Sequence, residues 1–222
     1  MTTKDFIIRY SYSTIGIALV AIAIVFSVHA NLGISVLNAP AYAVSARFPA
    51  ISLGVANFSF FMLCILFQFI ILRKKFRPID LQQILANFVL GVFIDLFDNL
   101  FRNTGFIPAE LWGQIAFLVI SIVINAIGIS MEVFSGAWML PADMTVKSLC
   151  TAFGGEFSNN KVKMDCTILV LSLALCLIFF GNLLGPAETP IIGWGTLVLA
   201  IFVGLCMKLT DPLAKKMIDK LV

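Results

Sequence analysis

Five acids, Asp95, Asp98, Glu132, Asp143 and Asp165, fall within or at the edges of stretches that are otherwise apolar enough to lie in a bilayer, and no Lys or Arg is equally deep. An ionised carboxylate at the bilayer centre costs at least ~2.5 kcal/mol, so each acid must face a wet cavity, meet a partner or bind a proton. Asp95 and Asp98 are three apart and share a helical face with Gly91 and Asn99. Two carboxylates this close resist ionising together, which suits a proton-coupling pair. The plainer reading is that both reach headgroup water. Glu132 precedes the helix break at Pro141 and is the preferred proton carrier; the plainer reading makes it a residue at the inner end of its helix. Asp165 either joins this proton-coupling set or caps a helix at the membrane surface.

Two broken segments must position these groups. Asn31-Leu32-Gly33-Ile34-Ser35-Val36-Leu37-Asn38-Ala39-Pro40, running on to Ala46, is too apolar for a loop and too short to span. It reads as a re-entrant half-helix broken by Gly33 and Pro40. Its counterpart begins at Met139-Leu140-Pro141-Ala142-Asp143. Residues 33 to 46 and 141 to 153 are predicted as short helices, with Ser35 and Asp143 as their N-caps. Free N–H groups at such helix starts favour anionic ligand groups. An amphipathic helix lying on the membrane surface is the alternative, and Lys147 favours it for the second copy.

Six apolar spans frame these segments, at residues 6 to 28, 52 to 72, 81 to 101, 113 to 136, 165 to 184 and 194 to 211, each suited to a core of ~30 Å. The chain is 60% hydrophobic and 12% charged with mean hydropathy +1.03, beyond what a soluble domain hides. The fold class expected is therefore an all-α polytopic membrane protein, one membrane domain over residues 1 to 222. The halves repeat at an offset of 108 to 109: Phe26-Ser27 recurs as Phe134-Ser135, and Leu90, Phe93, Leu96 and Leu100 as Leu199, Phe202, Leu205 and Leu209. Three spans per half make the copies inverted, repeat one over residues 6 to 103 and repeat two over 113 to 213, each with a re-entrant half-helix. That is a sequence sign of an alternating-access carrier. Asn57 and Asp165 align at the same offset and would converge near the axis.

With the N-terminus inside, 13 of the 15 Lys and Arg face the cytoplasm and only Arg47 and Arg102 lie outside, so both termini are expected to be cytoplasmic. Trp112 and Trp194 fall at outer span ends, as an aromatic belt requires. Val28-His29-Ala30 could pass for a signal-peptide cleavage site, but cleavage would leave an odd span count against the charge split. Cys64, Cys150, Cys166, Cys176 and Cys206 are scattered without metal or redox spacing, and His29 has no evident chemical partner. With no phosphate loop, metal helix or nucleophile elbow in the sequence, no enzyme, cofactor, metal or nucleic-acid role is expected.

The chain resembles the YczE/YitT-type family of bacterial integral membrane proteins. The likeness rests on Ala30-Asn31-Leu32-Gly33-Ile34-Ser35, Ser52-Leu53-Gly54, Gly91 with Asp95, Pro141-Ala142-Asp143, Asp165 and Gly193-Trp194-Gly195-Thr196. Family members often carry Pro after the Ser of the first motif, where this chain has Val36. Ending at Val222, it looks like the shorter, YczE-like branch. The resemblance implies a bacterial cell membrane and brings no settled substrate.

The leading expectation is a proton-coupled secondary transporter of a small polar solute or ion. Asn31, Ser35, Asn38, Asn57, Asp143 and Thr196 form the substrate-binding set, and Glu132, Asp95, Asp98 and Asp165 the proton-coupling set. Thr196 could instead bond its own backbone. Gly16, Ala18, Ala21 and Ala23 read as close-packing residues. Two other functions stay open. One is a substrate-binding subunit of an ATPase-driven importer, although the alanines of the first span do not fit the usual docking stripe. The other is a membrane scaffold that docks a peripheral enzyme at Arg73-Lys74-Lys75-Phe76-Arg77. The expected partners are the lipid bilayer and the solute, with a homo-oligomer left open.

Overall fold

The computed structural model describes residues 3–221, which form helices and turns with no strand among them. Six helices are long and apolar enough to cross a membrane. They are α1 (Thr3–His29), α3 (Leu53–Leu72), α4 (Gln82–Thr104), α5 (Leu111–Ser135), α7 (Phe157–Phe180) and α8 (Trp194–Leu221). Two short helices, α2 (Ala39–Arg47) and α6 (Pro141–Phe153), lie between the first and second long helix of each half. The order long, short, long, long therefore occurs twice.

Hydropathy places the long helices well and misses two ends. α7 begins at Phe157 rather than residue 165, because its first two turns carry Asn159, Asn160, Lys161 and Lys163, polar residues that are helical without being apolar. α8 runs to Leu221 rather than 211, passing through Pro212. That proline gives no N–H to the preceding turn. The helix continues because Ala214 and Ile218 are buried, and the Tyr12 hydroxyl donates to the Ala214 carbonyl at 3.1 Å.

Glycines set the helix crossings. A Cβ on Gly16 of α1 would stand 2.8 Å from the Gly128 carbonyl oxygen of α5, and one on Gly128 would stand 2.7 Å from that of Gly16. The two backbones meet directly, the geometry that small residues permit inside a bilayer. Gly54 of α3 approaches Gly91 of α4 still more closely, with no room for a Cβ between them. Around the α1–α5 crossing, α4 packs on α1 and α8 on α5. Each short helix packs against both α3 and α7.

The helices alternate in direction. One end of the bundle joins Arg9 to the Ser135 carbonyl (2.9 Å), Tyr12 to Ala214, and Lys75 to the Thr151 carbonyl (3.5 Å). The other end joins Gly195 N–H to the Leu32 carbonyl (2.8 Å) and Ile34 N–H to the Ile191 carbonyl (3.0 Å). The start of α1 and the end of α8 thus share an end.

Candidate functional site

The first short helix starts later than the sequence suggests, the second occupies residues 141–153 as expected, and neither has the expected cap. Residues 33 to 38 are not helical: Asn31 (φ +54°) and Gly33 (φ +100°) are left-handed, the Leu32 carbonyl accepts from Gly195 in the first turn of α8, and the Ile34 N–H donates to Ile191 just before it. A Cβ on Gly33 would meet the Gly193 nitrogen at 2.5 Å, so this strand-like approach needs glycine. Ser35 is therefore not an N-cap. Its carbonyl accepts from Asn38 and Ala39 N–H, and α2 begins at Ala39 with Pro40 in its first turn. Asp143 is not an N-cap either, because Pro141 opens α6 two residues earlier and leaves Asp143 in the first helical turn. A carboxylate there still gains from the positive end of the helix dipole.

A cavity of about 540 Å³ lies where these pieces meet. Its wall includes Ser35 before α2, Asn125 on α5, Asp143 on α6, Lys161 and Asp165 on α7, and an apolar side from Ile129, Val133, Leu199 and Val203. The space exists because α7 and α8 do not pack on one another, unlike α3 and α4. Lys161 Nζ stands 3.7 Å from Asp143 Oδ1. It is one turn from Asp165 on the same face of α7. Asp165 Oδ1 is buried with no hydrogen-bond partner among the described residues. Starting α7 at Phe157 puts Asp165 two turns inside the helix, which excludes the capping reading.

Glu132 is 1% exposed and sits beside this cavity, close enough to Asp143 for their charges to interact. Its Oε1 accepts the Leu140 N–H at 2.5 Å, just ahead of α6, while Oε2 is buried without a partner among the described residues. One carboxylate thus ties the end of α5 to the start of α6 and keeps an oxygen free.

The other predicted residues lie elsewhere. Asp95 accepts from the Ser52 hydroxyl (2.6 Å) and the Gly54 N–H (2.7 Å), closing the start of α3. Asp98 faces another way: Oδ1 is 2.8 Å from His29 Nε2 and Oδ2 accepts from Arg102 at 2.8 Å. His29, which the sequence leaves without an evident partner, meets Asp98, and Arg102 bonds the same carboxylate. One helix turn is enough to send the two carboxylates to different neighbours. Asn38 and Asn57 bond each other at 2.9 Å, both buried, and are outside the cavity wall. Thr196 Oγ1 accepts the Gly193 N–H at 3.2 Å, closing the start of α8. Asn31 forms the left-handed turn after α1.

The sequence also hides a buried amide pair. Gln68 and Gln83 exchange side-chain hydrogen bonds at 2.9 and 3.0 Å, and Gln68 donates on to the Pro141 carbonyl and the Thr145 hydroxyl. This network seats α6 on α3 and α4. The one signal in the sequence is a glutamine near the end of an apolar span.

The model of a family described as a family of unknown function (DUF6198) matches residues 7–212. The chain belongs to that family. No curated protein matches it. No solved structure matches it. Membership extends over all six long helices and both short ones, so the cavity and its charged wall lie within the family's span.

Proposed function

We propose that this family member is a proton-coupled secondary carrier of a small solute, working from a bacterial cell membrane with both termini cytoplasmic. The observation that carries the reading is the cavity itself: about 540 Å³ between helices of an apolar bundle, with Asp143, Lys161 and Asp165 in its wall. Charged groups are costly at such a place unless they serve a pathway.

The helix arrangement supports two inverted repeats with an axis in the membrane plane. The pairs α1–α4 and α5–α8 correspond, as do α2–α7 and α6–α3, and α2–α3 and α6–α7. At the centre, Gly16 and Gly128 approach each other reciprocally from antiparallel helices. The short helices then act as re-entrant elements between α3 and α7. The partial exception is α7 against α8, where the cavity opens. The positive-inside bias supports the orientation, and the exposed Trp112 and Trp194 suit an outer aromatic belt. By its motifs the chain resembles the short YczE-like branch. We assign the chain no catalytic step.

In this mechanism Glu132 holds the coupling proton on its free oxygen, and the charge on Asp143 beside it links proton occupancy to occupancy of the cavity. Rocking one three-helix unit against the other about the α1–α5 crossing would alternate access. The test is uptake by purified protein in liposomes under an imposed proton gradient, screened against a pooled set of metabolites. Accumulation that collapses with the gradient is expected. Uptake that ignores the gradient removes the coupling, and no uptake of any pool removes the carrier reading.

A further inference from the structure

The charge arrangement in the cavity wall says what class of solute fits it. Lys161 approaches Asp143 alone, and Asp165, one turn along α7, makes no ion pair with it, so the wall carries two carboxylates and one ammonium. One negative charge is left over. Lys161 sits 3.7 Å from Asp143, a loose approach, and its side chain is 38% exposed, so it leaves without leaving a cation stranded in a dry interior. Asp165 Oδ1, meanwhile, is a buried acceptor with no donor. A buried acceptor without a donor costs about 1–3 kcal/mol, which a ligand N–H relieves on arrival. Beside this polar corner the wall turns apolar along Ile129, Val133, Leu199 and Val203.

We infer that the cavity binds a small organic cation, an ammonium group with an apolar body, whose N–H groups donate to Asp165 and which competes with Lys161 for Asp143. This deepens the carrier reading and rests on it for its physiological meaning. An anionic solute meets an excess of like charge from Asp143 and Asp165. A neutral solute leaves the surplus charge unanswered. An ammonium supplies both the missing charge and the missing donor, and its apolar part covers the hydrocarbon wall. Lys161 then acts as a built-in surrogate that occupies Asp143 while the cavity is empty.

The competition makes a prediction of unusual sign. Removing a lysine from a binding site ordinarily weakens binding of an anion; here it should tighten binding of a cation. The experiment uses detergent-purified full-length protein with matched probes: ethyl-, butyl- and benzylammonium against propionate, pentanoate and benzoate, with affinities read by isothermal titration. The ammonium series is expected to bind, more tightly as the apolar body grows, and the carboxylates are not. Asp165→Asn should weaken ammonium binding roughly tenfold or more, because a charge partner in the cavity wall is lost. Lys161→Gln should strengthen it several-fold, an effect that misfolding cannot imitate. Carboxylate binding, an ammonium affinity that falls in Lys161→Gln, or no ammonium binding at all overturns the inference. Counterflow of the same probes in liposomes separates this from the carrier reading. Ammonium binding without exchange sinks transport and leaves the site, whereas carboxylate exchange sinks the charge class and leaves the carrier.

Discussion

At the scale of single residues, what a carboxylate does in this protein depends on which donors reach it. Asp95 has its oxygens taken by the first turn of α3, Asp98 is held between His29 and Arg102, and Glu132 has one oxygen bound and one free. Only the last keeps an unoccupied acceptor in a fully buried position, which is why it is assigned the proton. Glu132→Gln keeps the shape and can still accept from Leu140 through its amide oxygen. It should preserve solute exchange in counterflow while abolishing gradient-driven accumulation between about pH 5 and pH 8. Wild-type accumulation in that variant would transfer the coupling role to another group, with Asp165 the next place to look. Asp95→Ala, by contrast, removes the acceptor for two donors at a helix start. It should cost about 1–2 kcal/mol, seen as a lower thermal midpoint in detergent, with affinity for solute unchanged in the folded fraction.

At the scale of elements, helix approach is set by a few glycines and by one amide network. Gly54 faces the Gly91 carbonyl with no space for a methyl group. Gly54→Ala should therefore push α3 from α4 at a cost of roughly 1–3 kcal/mol or more, the range for overpacking a filled contact. A thermal midpoint equal to wild type would mean that the two helices are not apposed there. The same helix pair carries Gln68 and Gln83, whose exchange of hydrogen bonds and link to Pro141 hold α6 in place. Gln68→Leu leaves the Gln83 amide short of a partner and loosens the seat of the helix that carries Asp143. Both stability and solute affinity should fall, whereas Asp95→Ala should lower stability alone. Pro141 opens α6 where the sequence places it, which makes Asp143 a first-turn charge in the cavity wall rather than a cap.

At the scale of the molecule, the two bundle ends are chemically unlike. The end that holds the start of α1, the turn between α3 and α4, and the last turns of α8 gathers most of the basic residues, including Arg73, Lys74, Lys75, Lys215, Lys216 and Lys220. Single cysteines introduced on a background lacking the five native ones should label from the cytoplasmic side at positions 74 and 216 and from the outside at 103 and 188. Outside labelling at position 74 would invert the orientation and, with it, the side on which Lys161 meets solvent.

The class of the protein, its six long helices and the second short helix opening at Pro141 were legible in the sequence, because they depend on local properties. A bilayer tests each stretch of about 20 residues by its own composition. Proline and left-handed glycine act within a turn of themselves. Polar helix ends were legible only in part: the first turns of α7 and the last of α8 are helical through packing and continuation rather than hydropathy. Which side chains meet was decided by tertiary structure alone. Asp143 and Asp165 share a cavity with Ser35 from the other half of the chain, while Asn38, Asn57 and Thr196 were left to local bonds and Asp95 and Asp98 were parted. Those outcomes turn on helix rotation and crossing, fixed where Gly16 meets Gly128 and Gly54 meets Gly91. A rotation of one residue about a helix axis is about 100°, enough to move a carboxylate from a cavity to a neighbour.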